Sequence, residues 1–242
     1  MAVDVLAIGS HPDDIEISCG GTVASLVKQG YNVAIADVTE GEMGTRGTKD
    51  IRAKESQRAA KILGVSSRHN LEIPDGNIEI SQANIVKLVS LIRELQPKIL
   101  LIPHSVERHP DHVHTHILCK EAWFYAGLTK LATKRNGKVQ AAYRPDSYFE
   151  YMQWHHFTPT FIVNISDTFA TKMESIRAHA SQFHNPKSKE PQTRLSRPDF
   201  FDRVETDDKF YGQRIGVQYG EPFYSYASIG VRNPFDLLMN KK

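Results

Sequence analysis

The first hundred residues alternate between short apolar segments and longer amphipathic ones, and this alternation restricts the possible folds more than any other feature. Four apolar runs have the length and composition of buried strands: residues 3–8, 32–38, 71–73 and 98–103. Three segments between them have helical character: residues 20–29, 50–63 and 81–95. The alternation predicts an α/β fold with a Rossmann-like, doubly wound and mostly parallel sheet.

The second half of the chain is less regular. Its predicted elements are a helix at 112–127, strands at 147–152 and 161–165, a helix at 168–183 and a mobile surface loop at 185–198. We expect a single domain over residues 1–242, with a Rossmann-like core in 1–127 and a C-terminal part of strands, helix and loop in 128–242. The predicted strand order is 3-2-1-4-5.

The composition excludes several classes of function. Lys and Arg total 30 against 28 Asp and Glu, a formal net charge of +2, so charge gives no argument for binding nucleic acid or an anionic membrane. No apolar run approaches the roughly 18 residues of a membrane span, and the N-terminal segment lacks the basic region of a signal peptide. Two cysteines, Cys19 and Cys119, cannot form a disulfide framework, so we expect reduced thiols and a cytoplasmic location.

The residues that follow the first predicted strand form a candidate metal site. His11, Asp13 and Asp14 lie in a His-Pro-Asp-Asp motif at a strand end, where open α/β sheets bind their ligands. A histidine nitrogen and a carboxylate oxygen are ligands for divalent metals, and His11 and Asp14 are close enough in sequence to converge on one ion. A cation there would also relieve the repulsion between the adjacent carboxylates of Asp13 and Asp14.

A second motif, His-Pro-Asp-His at 109–112, follows the fourth predicted strand within a histidine-rich segment. In a sheet of order 3-2-1-4, strands one and four are neighbours, and the strand order reverses between them. The crevice at this switch point would bring His11, Asp14 and one histidine of the second motif together. Two histidines, one carboxylate and a water molecule form a common set of ligands for catalytic zinc.

Each motif taken singly also has an explanation without a metal. The first is compatible with a capped turn, because Asp is a frequent N-cap and Pro a frequent turn residue. His112, His114 and His116 are compatible with solvent-facing positions on the first turns of a helix. The occurrence of both motifs at strand ends of one sheet favours the metal site. A nucleotide cofactor is not expected, because the glycine pair at 20–21 lacks the spacing of a phosphate-binding loop.

The two motifs together resemble those of the LmbE/PIG-L family of zinc-dependent deacetylases, which act on N-acetylglucosamine conjugates. The resemblance includes four further stretches: residues 39–48, the pair Arg52 and Glu55, residues 74–75 and residues 178–182. Within the family, the sequence most resembles the enzymes of bacillithiol biosynthesis. This resemblance implies hydrolysis of the acetamide of N-acetylglucosaminyl malate. Another N-acetylglucosamine conjugate or a chitooligosaccharide is the alternative substrate.

The resemblance also implies roles for the residues of both motifs. Asp13 would act as the general base that takes a proton from the attacking water. His109, held in place by Asp111, would stabilise the oxyanion, and either Asp13 or His109 would protonate the departing amine. The implied ligands of Zn²⁺, or of another divalent metal such as Fe²⁺, are His11, Asp14 and His112.

Four residues are candidates for binding the substrate. Arg52 and Arg108 can present guanidinium forks to the two carboxylates of malate, although Arg52 could instead pair with Glu55 along one helix face. Glu42 and Asp75 could hydrogen-bond sugar hydroxyls or contribute only ordinary loop polarity.

We therefore expect a small amino-sugar conjugate as the ligand, neither nucleic acid nor membrane as a partner, and a homo-oligomer, as among relatives of the family. A non-catalytic module that binds a sugar or a metal on the same fold is the alternative from another functional class. Such a module would have lost the base, whereas Asp13 is present.

Overall fold

The computed structural model describes residues 2–135 and 137–238, and its central element is a sheet of seven strands. These strands are β1 (Val5–Gly9), β2 (Val33–Asp37), β3 (Ser67–Asn70), β4 (Ile99–Pro103), β7 (Ser147–Tyr151), β8 (Phe161–Asn164) and β9 (Gly220–Tyr224). A separate hairpin consists of β5 (Lys134–Arg135) and β6 (Lys138–Val139). The α-helices of the described residues are α1 (Asp14–Lys28), α2 (Lys49–Leu63), α3 (Gln82–Leu95), α4 (Pro110–Ala126), α5 (Phe169–Arg177) and α6 (Phe200–Arg214).

The order of strands in the sheet is β3-β2-β1-β4-β7-β9-β8. The first five of these pair in parallel, and β9 runs antiparallel to both β7 and β8. The structure therefore confirms the predicted α/β fold and the order 3-2-1-4 followed by the next strand of the sheet. It extends the sheet by an antiparallel edge, which the sequence did not predict.

The side chains of β1 explain why helices cover both faces of the sheet. Leu6 and Ile8 belong to the core cluster that contains the apolar residues of α3 and α4, whereas Val5 and Ala7 belong to the cluster that contains those of α1. Successive side chains of a strand point to opposite faces, so a strand that is apolar throughout is buried on both sides.

Helix α1 begins six residues earlier than predicted, at Asp14 instead of residue 20. The predicted helix start at residue 20 lies at a kink within α1, where the backbone of Cys19 is non-helical (φ −141°, ψ 21°). The backbone N–H groups of Gly21 and Thr22 then donate to the carboxylate of Glu221 at 3.0 and 2.7 Å. A carboxylate of the protein itself thus accepts from the free N–H groups at the start of the second helical segment.

Strand β3 lies at Ser67–Asn70, and the prediction of a strand at 71–73 is wrong. The segment is polar because Arg68 is buried between β2 and α1, where its guanidinium contacts Asp37 and Glu16. The backbone N–H of Ile73 still donates to Val38 at 3.0 Å, so the apolar segment continues along the end of β2. Hydrophobic periodicity alone cannot find an edge strand whose buried side chain is a compensated charge.

The C-terminal part differs most from the prediction. Helix α5 ends at Arg177 instead of 183, while α6 and β9 had not been predicted. The buried faces of these elements contain charges, because Lys172 of α5 forms ion pairs with Asp208 of α6 at 2.8 Å and with Glu221 of β9 at 2.8 Å. Within the described residues, no helix has both the length and the apolar character needed to cross a membrane.

Candidate metal centre and active site

The two motifs lie at the carboxyl ends of the neighbouring strands β1 and β4. His11 and Asp13 occupy the turn between β1 and α1, and His109 and His112 occupy the start of α4 after β4. They line a cavity of about 470 Å³, to which segments from both halves of the chain contribute. The predicted crevice at the reversal of strand order is therefore present, and it contains residues of both motifs.

Three side chains converge as the sequence predicted for the metal ligands. Nitrogen and oxygen atoms of His11, Asp14 and His112 lie within 4.8 Å of one another. Nε2 of His112 is 3.3 Å from Oδ1 of Asp14, and Nδ1 of His11 is 3.5 Å from Oδ2 of the same carboxylate. His11, His109 and Asp111 form a second group within the same limit, so His11 belongs to both.

The remaining ring nitrogens of the two candidate ligands face carboxylates. Nε2 of His11 is 3.0 Å from Asp75 and 3.3 Å from Asp111, while Nδ1 of His112 is 3.5 Å from Glu107. Histidine ligands of metals commonly donate their second nitrogen to a carboxylate, which fixes the orientation of the ring. Two oriented imidazoles and one carboxylate fit a divalent cation such as zinc.

Buried carboxylates and histidines shift one another's pKa values in the site. Burial alone would raise the pKa of Asp14, but the neighbouring His112 and His11 hold it well below its usual range. The pKa of His112 is raised to about 9, because Asp14 and Glu107 outweigh the effect of burial. The site therefore attracts positive charge, which is the electrostatic requirement for binding a cation.

Asp13 lies beside these residues in an unusual conformation. Its backbone has φ 130° and ψ −22°, a region that non-glycine residues rarely adopt. Burial raises the pKa of Asp13 to about 6, an effect that Arg52 opposes and Asp14 reinforces. Strained residues whose pKa is shifted are typical of functional sites, so the geometry supports a chemical role for Asp13.

Arg52 holds the turn of Asp13 in place. Its guanidinium donates to the backbone oxygens of Pro12 at 2.9 Å and Gly41 at 2.8 Å, and lies 3.4 Å from Oδ2 of Asp13. A Cβ atom at Gly41 would lie 1.9 Å from Nη1 of Arg52, so only glycine permits this approach. Arg52 lines the cavity, and its contact with substrate stays a prediction.

Asp111 contacts His109 through its backbone and not through its carboxylate. The backbone N–H of Asp111 donates to Nδ1 of His109 at 3.2 Å, while its carboxylate accepts from the N–H of Gly76 at 2.9 Å and faces His11. Since Nδ1 of His109 accepts, the neutral ring carries its proton on Nε2. Asp111 therefore orients His109 through this backbone contact, and its role in the reaction stays a prediction.

The other predicted substrate-binding residues connect loops or reach the cavity rim. Glu42 accepts from the N–H of Asp75 at 2.8 Å, and Asp75 accepts from the N–H of Met43 at 2.9 Å. This exchange joins the loop after β2 to the loop after β3. Arg108 is exposed and lines the cavity, with its guanidinium carbon 5.3 Å from the centre of the Trp154 ring.

Sequence reasoning did not find several residues that complete the site. Glu107 accepts from the backbone N–H groups of Trp154 at 2.6 Å and His155 at 2.8 Å, besides facing His112. Gln153 donates to Oδ1 of Asp14 at 3.0 Å. Glu107 stands two residues before the second motif, which was the one available sign of its role. Nothing in the pattern around 153 and 154 indicated that this segment reaches the candidate metal ligands.

Comparisons with known proteins agree with this geometry. The family model PIG-L, described as GlcNAc-PI de-N-acetylase, matches residues 6–123. The chain is 32% identical to diacetylchitobiose deacetylase of Thermococcus kodakarensis, over 90% of this chain and 80% of that protein. It is 26% identical to a probable N-acetyl-alpha-D-glucosaminyl L-malate deacetylase 2 of Bacillus cereus, over 74% of this chain and 83% of that protein.

A solved structure supports the same relationship. The conserved protein TT1542 from Thermus thermophilus superposes with a TM-score of 0.85 at 33% identity, covering 95% of this chain and 97% of that one. Similarity of sequence and of fold thus extends beyond the two motifs to nearly the whole chain. The chain belongs to the PIG-L (LmbE) family of deacetylases.

Proposed function

We propose that the protein is a metal-dependent hydrolase that cleaves the acetamide of an N-acetylglucosamine conjugate, releasing a free amine and acetate. This proposal rests on one observation: His11, Asp14 and His112 converge beside the strained Asp13 at the ends of β1 and β4. The substrates named for the relatives from Thermococcus and Bacillus, a chitobiose and a glucosaminyl malate, both contain N-acetylated glucosamine.

A metal ion would be held by His11, Asp14 and His112. We propose Zn²⁺ because two imidazole nitrogens and one carboxylate oxygen are a common donor set for this ion, and Fe²⁺ is compatible with the same donors. The chemistry that such a cation supplies is Lewis acidity, which polarises a carbonyl and acidifies water. His11 and His112 are kept in orientation by the carboxylates on their second nitrogens.

Asp13 would act as the general base. Its carboxylate is buried, and the guanidinium of Arg52 lies 3.4 Å from its Oδ2 atom. As water adds its oxygen to the acetamide carbon, the carboxylate accepts the proton that the water loses. The pKa of Asp13, raised to about 6, makes it a stronger base than an ordinary carboxylate while leaving it largely ionised at neutral pH.

His109 would stabilise the charge that develops on the carbonyl oxygen. Because Nδ1 accepts from the backbone of Asp111, the proton on Nε2 is available for donation to an oxyanion. Cleavage of the C–N bond requires a proton on the departing nitrogen, and either Asp13 or His109 supplies it. The products are then the amine of the sugar and acetate.

The first substrate to test is N-acetylglucosaminyl malate, whose hydrolysis would place the protein in bacillithiol biosynthesis. The exposed guanidinium of Arg108 at the cavity rim favours an anionic conjugate. Diacetylchitobiose is the second candidate, because a relative named as its deacetylase is 32% identical to this chain over 227 aligned residues.

The test is amine release from both conjugates by the zinc-loaded protein, with a chelated sample and a sample reloaded with zinc beside it. We expect turnover that chelation abolishes and zinc restores. Bound zinc without amine release from either conjugate would contradict the proposed function. Turnover unaffected by complete removal of metal would contradict the role of the three ligands.

A further inference from the structure

Three arginines surround one tryptophan in the cavity. The guanidinium carbon of Arg203 lies 3.5 Å from the centre of the Trp154 ring, and those of Arg108 and Arg194 each lie 5.3 Å from it. We call Arg108, Arg194, Arg203 and Trp154 the arginine wall. All four line the same cavity as the candidate metal ligands.

The wall is assembled from distant parts of the chain. Arg108 precedes α4, Trp154 follows β7, Arg194 lies in the segment before α6, and Arg203 is on α6 itself. Glu107 connects the wall to the metal ligands, because its carboxylate binds the backbone of Trp154 and also faces His112. A group bound by the wall would therefore belong to the same ligand as a group bound near the metal.

The positive charge of the wall is only partly compensated. Arg203 has Asp207 at 3.5 Å, but this carboxylate is shared with His156 at 3.4 Å. Asp208, which also lines the cavity, forms an ion pair with Lys172. In residues 2–135 and 137–238, neither Arg108 nor Arg194 has a carboxylate within 4.0 Å of its guanidinium. Like charges held together in a partly buried cavity repel, and an anion offsets that repulsion.

The chemistry of the side chains selects the kind of anion. A guanidinium that stacks on an aromatic ring keeps its in-plane N–H groups available, and these match the paired oxygens of a carboxylate or phosphate. Arg52 differs from the wall, because its guanidinium already donates to the backbone of Pro12 and Gly41.

We infer that the arginine wall binds a carboxylate or phosphate on the group attached to N-acetylglucosamine, so that the enzyme prefers anionic conjugates. This inference rests on the proposed function and assigns recognition of the anion to Arg194 and Arg203 together with Arg108. Trp154 holds the guanidinium groups in place through its ring, and the sugar lies between the wall and the metal ligands.

The test compares three conjugates at fixed ionic strength: N-acetylglucosaminyl malate, N-acetylglucosamine 1-phosphate and the neutral diacetylchitobiose. The metal-loaded native protein is compared with the double variant Arg194→Gln/Arg203→Gln. Arg177→Gln is the matched control, since Arg177, like Arg194, is exposed and lies 5.0 Å over an aromatic ring, that of Phe201, but does not line the cavity. Metal content is measured in every sample.

We expect the native protein to favour at least one anionic conjugate, and the arms with malate and with phosphate show which anion fits. In the double variant, the ratio of kcat/KM for that conjugate to kcat/KM for diacetylchitobiose falls by about tenfold or more. Replacement of both arginines by lysine restores part of the ratio. A preference for the neutral conjugate, or a ratio unchanged in the double variant, would overturn the inference.

Binding of free L-malate and inorganic phosphate, measured by titration calorimetry on the same metal-loaded samples, separates this inference from the proposed function. One possible result is that no conjugate is deacetylated, while the double variant binds these anions more weakly than the native protein and Arg177→Gln do. That result would support anion binding by the arginine wall and contradict the proposed function. Equal binding by all three proteins would overturn the wall.

Discussion

The N-terminal half of the chain, residues 2–127, and the C-terminal half, residues 128–135 and 137–238, contribute different parts of one cavity. The first supplies every candidate metal ligand and the candidate base, from two short motifs at the ends of β1 and β4. The second supplies Trp154, Arg194 and Arg203 from segments far apart in sequence. The candidate groups for chemistry thus follow two strands directly in the sequence, whereas most of the groups proposed for selectivity come together only through the fold.

A buried ionic network joins the two halves. Lys172 of α5 pairs with Asp208 of α6 and Glu221 of β9, and Glu221 in turn accepts from the kinked start of the second segment of α1. Helix α1 begins with the candidate metal ligand Asp14, so the network connects the C-terminal elements to the element that carries the N-terminal motif.

Removal of a metal ligand should have the largest effect. His112→Ala is expected to abolish metal binding and to lower amine release by on the order of 1,000-fold or more, because the stabilisation that the metal supplies is lost. His114→Ala on the same helix is the control, since His114 is exposed. Metal content after gel filtration checks the first expectation. Unchanged zinc in His112→Ala would remove this residue from the ligand set.

Replacement of the base should spare the metal and stop the reaction. Asp13→Asn keeps the size of the side chain, and we expect kcat to fall roughly 10²- to 10⁴-fold, the usual contribution of a general base. The exposed Asp146→Asn serves as the control. Loss of zinc from Asp13→Asn, seen by metal analysis, would show that Asp13 is a ligand and that the roles of the two adjacent carboxylates differ from those proposed.

A change in the buried network should act on stability, because it leaves charges without partners. Lys172→Met leaves the buried carboxylates of Asp208 and Glu221 without their positive partner. We therefore expect the free energy of unfolding to fall by roughly 3–5 kcal/mol. Lys28→Met removes an exposed ion pair with Asp167 and should cost less than about 1 kcal/mol. Urea unfolding followed by circular dichroism measures both variants. Similar losses in the two would mean that the network does not join the halves.

The residue that contacts both halves should give the smallest effect. Glu107→Gln keeps an oxygen for the backbone of Trp154 and His155 but weakens the attraction for His112, so metal affinity should fall about 10- to 100-fold. Competition with a chelator measures the affinity, with the exposed Glu174→Ala as the control. An affinity equal to that of the native protein would limit the role of Glu107 to its hydrogen bonds with the backbone of Trp154 and His155.

Hydrophobic periodicity predicted the parts of the fold whose burial follows a simple pattern. The stripe of Ile85, Leu88, Ile92 and Leu95 is buried in α3 as expected, and the apolar runs of β1, β2 and β4 form the centre of the sheet. The elements that were missed or misplaced as a whole share one property. Strand β3, helix α6 and strand β9 bury Arg68, Asp208 and Glu221, so their patterns look polar when partners are not considered.

The candidate site divides in the same way. Both motifs could be placed from the sequence because each follows a strand directly, and neighbouring parallel strands present their carboxyl ends at one edge of the sheet. The contacts of Glu107 and Gln153 could not be predicted from the sequence, because each depends on where the segment after β7 passes over α4 and α1.

The parallel core and the two motifs could be predicted without a structure, because both depend on residues that are near one another along the chain. The features around them became visible only in the folded protein: the arginine wall, the kink of α1 and the ion pairs of the C-terminal edge. These features bring together side chains and backbone groups that are remote in sequence, such as Gly21 and Glu221, which are 200 residues apart. A buried charge is stable only beside its partner, and which partner it meets is a property of the folded chain.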